Sequence, residues 1–136
     1  MDEQIASGDA TFQSMGTHPD IRRMDQRIRE CIGHCSGCAN YCLDTVAHCL
    51  DLGGKHAGRP HVGLLLDCAE ICRTSANFML RGSPHHAAIC GVCAEICDRC
   101  AEDCERLDPN DEVMRQCAEL CRRCAESCRD MASMAA

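Results

Sequence analysis

The chain has almost no aromatic side chains. Tryptophan is absent, and Tyr41, Phe12 and Phe78 are the whole aromatic complement of 136 residues. Large rings usually dominate core burial, so something else must fill this interior. An excess of positive charge is also missing: 14 Lys and Arg face 21 Asp and Glu, a formal net charge of −7. That balance argues against nucleic acid as the main partner. No segment approaches the roughly 18 consecutive apolar residues of a membrane span. Arg22 and Arg23 are followed by Asp25, Arg27, Arg29 and Glu30 rather than by an apolar stretch, so no export signal is read there. There is no phosphate loop, nucleotide fingerprint or Ser-His-Asp set. Glu70, Glu95, Glu102, Glu119 and Glu126 fall on outward or flanking helix faces and are not paired for acid–base work. The expectation is one cytosolic, non-enzymatic domain, with its thiols kept reduced.

What the chain has instead is cysteine, at 16 positions. Cys90, Cys93, Cys97, Cys100 and Cys104 step by 3, 4, 3, 4, the spacing that stacks side chains on one helix face. Cys31, Cys35, Cys38 and Cys42 step by 4, 3, 4, with Cys49 seven residues on and still in phase. Cys117, Cys121, Cys124 and Cys128 repeat the 4, 3, 4 pattern, and Cys68 and Cys72 form one i,i+4 pair. Cysteine thus sits where Leu and Ile would form the stripe of an amphipathic helix.

The breaks between stripes define the helices. Residues 1–17 read as a polar tail. Thr17-His18-Pro19-Asp20 reads as a helix start, and the first helix is expected over about 19–52. The second is expected over 60–81, with His61, Leu65, Cys68, Cys72, Ser75 and Met79 on its inward face. Ser83-Pro84 reads as an N-cap followed by proline, opening a third helix over 84–107. Asp108-Pro109-Asn110-Asp111 opens a fourth over 109–133. Four helices with short connections predict an all-α fold, an antiparallel up-down-up-down four-helix bundle over 18–136 with a cysteine-lined core. C-A-E-I-C at 68–72 and 93–97, C-A-E-L-C at 117–121, and C-A-E-x-C at 100–104 and 124–128 are weak internal repeats. They suggest duplication of a helical hairpin.

A narrow tube of thiols invites three chemistries. Disulfides within a helix do not close, because i,i+3 and i,i+4 Cβ atoms lie about 5–6 Å apart and a disulfide needs about 3.8 Å; bridges between helices remain open to it. Soft metals are the second. Thiolates select Cu(I), Zn(II) and iron–sulfur clusters. Zinc wants tetrahedral sets of four, and the cysteines are not grouped in fours around loops. Iron–sulfur motifs commonly end in Cys-Pro, and no cysteine here precedes proline. Cu(I) is undemanding in geometry, and bridging thiolates could hold roughly one ion per cysteine. A zinc- or cadmium-sequestering protein is the alternative within this class. Third is thiol redox chemistry, which usually needs one activated pair; sixteen equivalent thiols offer none.

The C-x3-C-x2-C-x3-C spacing, the S-P-x4-I-C-x2-C-A-x-I-C stretch at 83–97 and the ending C-A-E-S-C-R-D-M-A-S-M-A-A resemble the bacterial copper storage proteins. The resemblance covers about residues 20–136 and points to the cytosolic branch of that family. It implies many Cu(I) ions inside a four-helix bundle, often a homotetramer, with copper as cargo and a copper chaperone as a possible partner. It also implies histidines in the third connection, at the end where copper is thought to load. Residues 106–111 carry none. His48, His56 and His61 lie at the same end of an up-down bundle, and His61 is the best placed to replace them. Met24, Met79, His86 and Met131 gather inward at the opposite end as further possible Cu(I) ligands. His34 flanks Cys31, Cys35 and Cys38 and either joins a thiol cluster or sits at a helix interface.

Overall fold

The computed structural model describes residues 25–134. The polar tail, the helix start at Thr17–Asp20 and Met24 lie outside the described residues. Four helices follow in order: α1 (Gln26–Leu52), α2 (Arg59–Leu80), α3 (His86–Leu107) and α4 (Glu112–Met134). One 3-10 turn, Gly54–Ala57, stands between α1 and α2. Each helix packs on its two sequence neighbours around a ring, with α1 closing against α4. The pairs α1/α2 and α3/α4 pack most extensively, as two helical hairpins laid side by side.

Three starts differ from the sequence reading, and each has a local cause. Asp25 caps α1, its side chain accepting from the N–H of Arg27 at 2.8 Å, so the helix begins at Gln26. Ser83 and Pro84 form a turn in which the Ser83 hydroxyl accepts from the His85 N–H at 3.0 Å, and α3 begins only at His86. Asp111, rather than Asp108, caps α4: its carboxylate accepts from the Met114 N–H at 3.0 Å. Proline fits a first helical turn, but a side chain that satisfies an orphan N–H fixes where that turn starts. At the other end of α1, Gly53 has φ 71° and its N–H closes on Cys49 O at 3.1 Å. That left-handed turn favours glycine.

The C-A-E-x-C repeat is explained by the packing. Each cysteine points into the bundle, and the alanine after it lies buried: Ala69, Ala94, Ala101, Ala118 and Ala125. The glutamate after that is exposed at 70, 95, 102, 119 and 126. The small alanines let helices approach closely, which keeps the thiol tube narrow. Across the α3/α4 seam, Arg122 bridges to Glu105 at 2.7 Å and Arg129 to Asp98 at 2.5 Å. These exposed pairs each contribute less than about 1 kcal/mol. Leu50, on the outer side of α1, is 55 % exposed.

Candidate metal centre

All 16 cysteines are free thiols, and all are buried. Their sulfurs form a continuous column. Near its middle, Cys72 Sγ lies 3.4 Å from Cys97 and 3.7 Å from both Cys124 and Cys93. Cys124 reaches Cys35 at 3.5 Å, and Cys35 reaches Cys128 at 3.5 Å. Towards the loop end, Cys38 meets Cys121 at 3.6 Å and Cys68 at 3.9 Å, and Cys42 meets Cys117 at 3.9 Å. These are van der Waals contacts between unbonded sulfurs, far above the 2.05 Å of a disulfide. With metal–sulfur bonds of about 2.3 Å, two sulfurs on one ion stand about 3.8–4.6 Å apart, from tetrahedral to linear geometry. The column already has nearly that spacing.

Four quartets of sulfur atoms lie within 4.8 Å of one another: Cys35/Cys93/Cys124/Cys128, Cys38/Cys72/Cys97/Cys124, Cys38/Cys42/Cys68/Cys121 and Cys42/Cys100/Cys117/Cys121. The sequence reading found no grouping in fours; the fold makes it by drawing each quartet from three or four helices. The quartets overlap. Cys38, Cys42, Cys121 and Cys124 each belong to two, so four separate tetrahedral zinc sites cannot form without sharing ligands. Shared thiolates suit a chain of bridged ions.

The remaining cysteines extend the column. Cys31 joins Cys128 at 3.7 Å. Cys90 meets the Ser75 hydroxyl at 3.3 Å. The Cys100 and Cys117 thiols act on Cys104 and push it well above the usual thiol range. Cys49 lies 3.3 Å from His61 Nε2 and 3.6 Å from Met114 Sδ. Behind it, Asp103 holds the other ring nitrogen of His61 at 2.6 Å, the outer-shell pattern that orients imidazole ligands. Met114 is fully buried, and the sequence reading did not name it among the candidate donors. Its signal was present, since it stands three residues before Cys117 in the same stripe.

The interior is hostile to bare thiolates. Burial pushes Cys49 up to about 11, and the neighbouring thiol of Cys128, together with burial and against the opposing effect of Cys31, pushes Cys90 up to about 12. Cys93 goes the other way, held down to about 3 by surrounding thiols, Cys124 foremost. A few charges are therefore stabilised by adjacent S–H groups, and each added thiolate repels the next. Cations threaded along the column remove that repulsion.

The other predicted residues divide by position. His61 joins the thiol column. His48 does not: its Nε2 faces Asp111 at 2.9 Å. His34 Nδ1 pairs with Ser127 Oγ at 2.6 Å across the α1/α4 seam and belongs to none of the quartets. Burial, followed by the charge of Arg123, lowers its pKa. At the far end Met79 and Met131 are buried at 2 % and 1 % exposure. His86 lines a cleft of about 330 Å³ with Met79, Ile28 and Pro84, and its Nδ1 is buried without a hydrogen-bond partner. An orphaned ring nitrogen and a thioether-bearing side chain thus line the same cleft.

Fold and site together define an all-helical, thiol-lined container for soft metal ions. The chain belongs to the copper storage protein family, whose model matches residues 24–133. Among solved structures it is similar to the Nmul_A1745 protein from Nitrosospira multiformis, with 48 % identity, TM-score 0.76, and coverage of 82 % of this chain and 99 % of that one. It is also similar to the Cu(I)-bound copper storage protein BsCsp3, at 34 % identity and TM-score 0.73 over 79 % of this chain and 99 % of that one. A third similar structure is the copper storage protein Ccsp from Streptomyces lividans, loaded with 10 copper equivalents. It shows 27 % identity and TM-score 0.76, covering 90 % of this chain and 98 % of that one. No curated protein matches the chain.

Proposed function

We propose that this protein is a cytosolic store and buffer for Cu(I), holding roughly one ion per cysteine through bridging thiolates. The observation that carries this reading is the set of overlapping buried thiol quartets. Neighbouring quartets share ligands, so the column has no natural end short of filling. Burial supports the storage reading: every thiol is closed to solvent, which suits retention of cargo. Membership of the copper storage family supports copper over zinc or cadmium.

Copper loads at the end where Cys49, His61 and Met114 converge. These three soft donors stand at the margin of the column, and His61 is 5 % exposed. His86, Met79 and Met131 hold a few further ions at the opposite end. The chain assembles as a homotetramer, as members of its family often do. Leu43, Leu50 and Leu66 on α1 and α2, each about half exposed, supply apolar surface for such contacts. Copper is exchanged with a cytosolic copper chaperone.

The test is anaerobic titration of the fully reduced protein with Cu(I) against a strong chelator, counting metal per chain. Saturation near 16 or slightly above is the expected result, one ion for each of the 16 cysteines. Saturation at one to four ions would point to a discrete centre, zinc first among the candidates. If His61→Ala leaves the rate of copper loading unchanged, the proposed loading end is wrong.

A further inference from the structure

The loop end of the bundle carries a second cluster of donors whose chemistry differs from that of the thiol column. We propose that His56, Asp108 and Asp111, with His48 as a fourth donor, form a site for a borderline divalent transition-metal ion of the Zn(II) type. Ligand atoms of His56, Asp108 and Asp111 lie within 4.8 Å of one another. His56 Nε2 stands 2.8 Å from Asp108 Oδ2, and His48 Nε2 stands 2.9 Å from Asp111 Oδ2. The four side chains are shielded but reachable: His56 is 13 % exposed, Asp108 27 %, Asp111 14 % and His48 30 %.

The donor set decides the class of ion. Two imidazoles and two carboxylates, with no sulfur among them, match borderline divalent metals and suit Cu(I) poorly. Zinc–nitrogen and zinc–oxygen bonds of about 2.0–2.2 Å place tetrahedral donors about 3.3–3.6 Å apart. The His56–Asp108 and His48–Asp111 pairs, at 2.8 and 2.9 Å, would open by roughly half an ångström and the longer separations, up to 4.8 Å, would close by about an ångström to hold an ion, within the reach of side-chain rotation. Asp111 is ionised at neutral pH. Burial raises its pKa, but the hydrogen bonds from His48 and the Met114 N–H more than offset that and leave it below the ordinary value.

The segments that supply the donors show what an ion would do there. His48 comes from the last turns of α1, and His56 from the 3-10 turn. Asp108 ends α3 and Asp111 caps α4. One ion would join the α1–α2 connection to the α3–α4 connection at the end where Cys49 and His61 lie. It would cap the thiol column with an ion held by nitrogen and oxygen donors alone, beside sulfurs that hold the softer Cu(I).

The experiment uses the Cu(I)-saturated protein, so that the thiols are occupied. Co(II) is titrated in as a spectroscopic probe, and Zn(II) is then used to displace it. The expected result is one Co(II) per chain, with ligand-field bands of a nitrogen–oxygen site, no sulfur-to-cobalt charge transfer, and stoichiometric displacement by Zn(II). A His56→Ala/Asp108→Asn variant should bind Co(II) more than about 100-fold more weakly, beyond the loss caused by removing an outer-shell partner, with its Cu(I) count unchanged. Equal cobalt binding by the variant, no binding by the parent protein, or sulfur charge transfer in the parent spectrum would each overturn the proposal.

Discussion

Replacing Cys124 by alanine separates a continuous thiolate chain from a set of independent metal centres. Cys124 Sγ lies 3.5 Å from Cys35 and 3.7 Å from Cys72, and it belongs to two quartets. If each thiolate bridges two ions, removing this one breaks about two metal–sulfur bonds. The two ions it served are then each left with about one sulfur, too few to hold them. The expected loss is therefore about two Cu(I) per chain from a capacity near the 16 cysteines. The cost to the metal-free bundle should be modest, about 1–2 kcal/mol, because one buried sulfur is close in size to a methyl group and leaves a small void. Alanine is already tolerated beside it at Ala125. The assay is the same anaerobic chelator competition, run on variant and parent together, with helicity followed by circular dichroism. A loss of zero would remove Cys124 from the ligand set. A loss of four or more with the helices intact would show a single cooperative centre rather than a chain, and would refute the bridging argument.

Three further outcomes follow from the same geometry. Ser75 stands in the column where a thiol would complete a layer, 3.3 Å from Cys90 and 4.0 Å from Cys128; Ser75→Cys should raise Cu(I) capacity by about one ion with little change in apo stability, and an unchanged count would place Ser75 outside the metal path. Leu65 is fully buried in the same core cluster as the cysteines; Leu65→Ala should cost the apo protein about 2–5 kcal/mol by leaving a cavity, read by chemical unfolding, and a cost under about 1 kcal/mol would show that the tube collapses around it. Cys49 is raised by burial from 9.0 to about 11. A raised pKa gives stability that is fully present below the unfolded value and is lost as pH climbs through the folded one. The melting temperature of the apo protein should therefore fall between about pH 9 and pH 11, while the copper-loaded protein, its thiols already deprotonated, should change little.

The sequence by itself determined the helices, their inward faces and the class of chemistry. A 3, 4, 3, 4 cysteine step is a property of one helix turn repeating, so Cys90 to Cys104 could be placed on a single face without knowing what lay opposite. The same phase put His61, Leu65, Ser75 and Met79 inside on α2, and all four are buried. The starts of α3 and α4 were legible only to within a few residues and that of α1 less closely, because proline and acidic residues mark a first turn without saying which side chain caps it. Asp25 and Asp111 settled that by closing on particular N–H groups.

Only the tertiary structure decided which sulfurs share a site. The quartets join residues as far apart as Cys35 and Cys128, and their membership depends on the vertical register of four helices, which no local periodicity records. The same register brought Met114 to Cys49 and Asp103 to His61. It also turned His48 and His56 away from the thiols, towards Asp111 and Asp108. Helical phase is local and survives in the sequence. Register comes from how buried alanines, capped ends and short connections fit together in space, and it exists only once all four helices are packed.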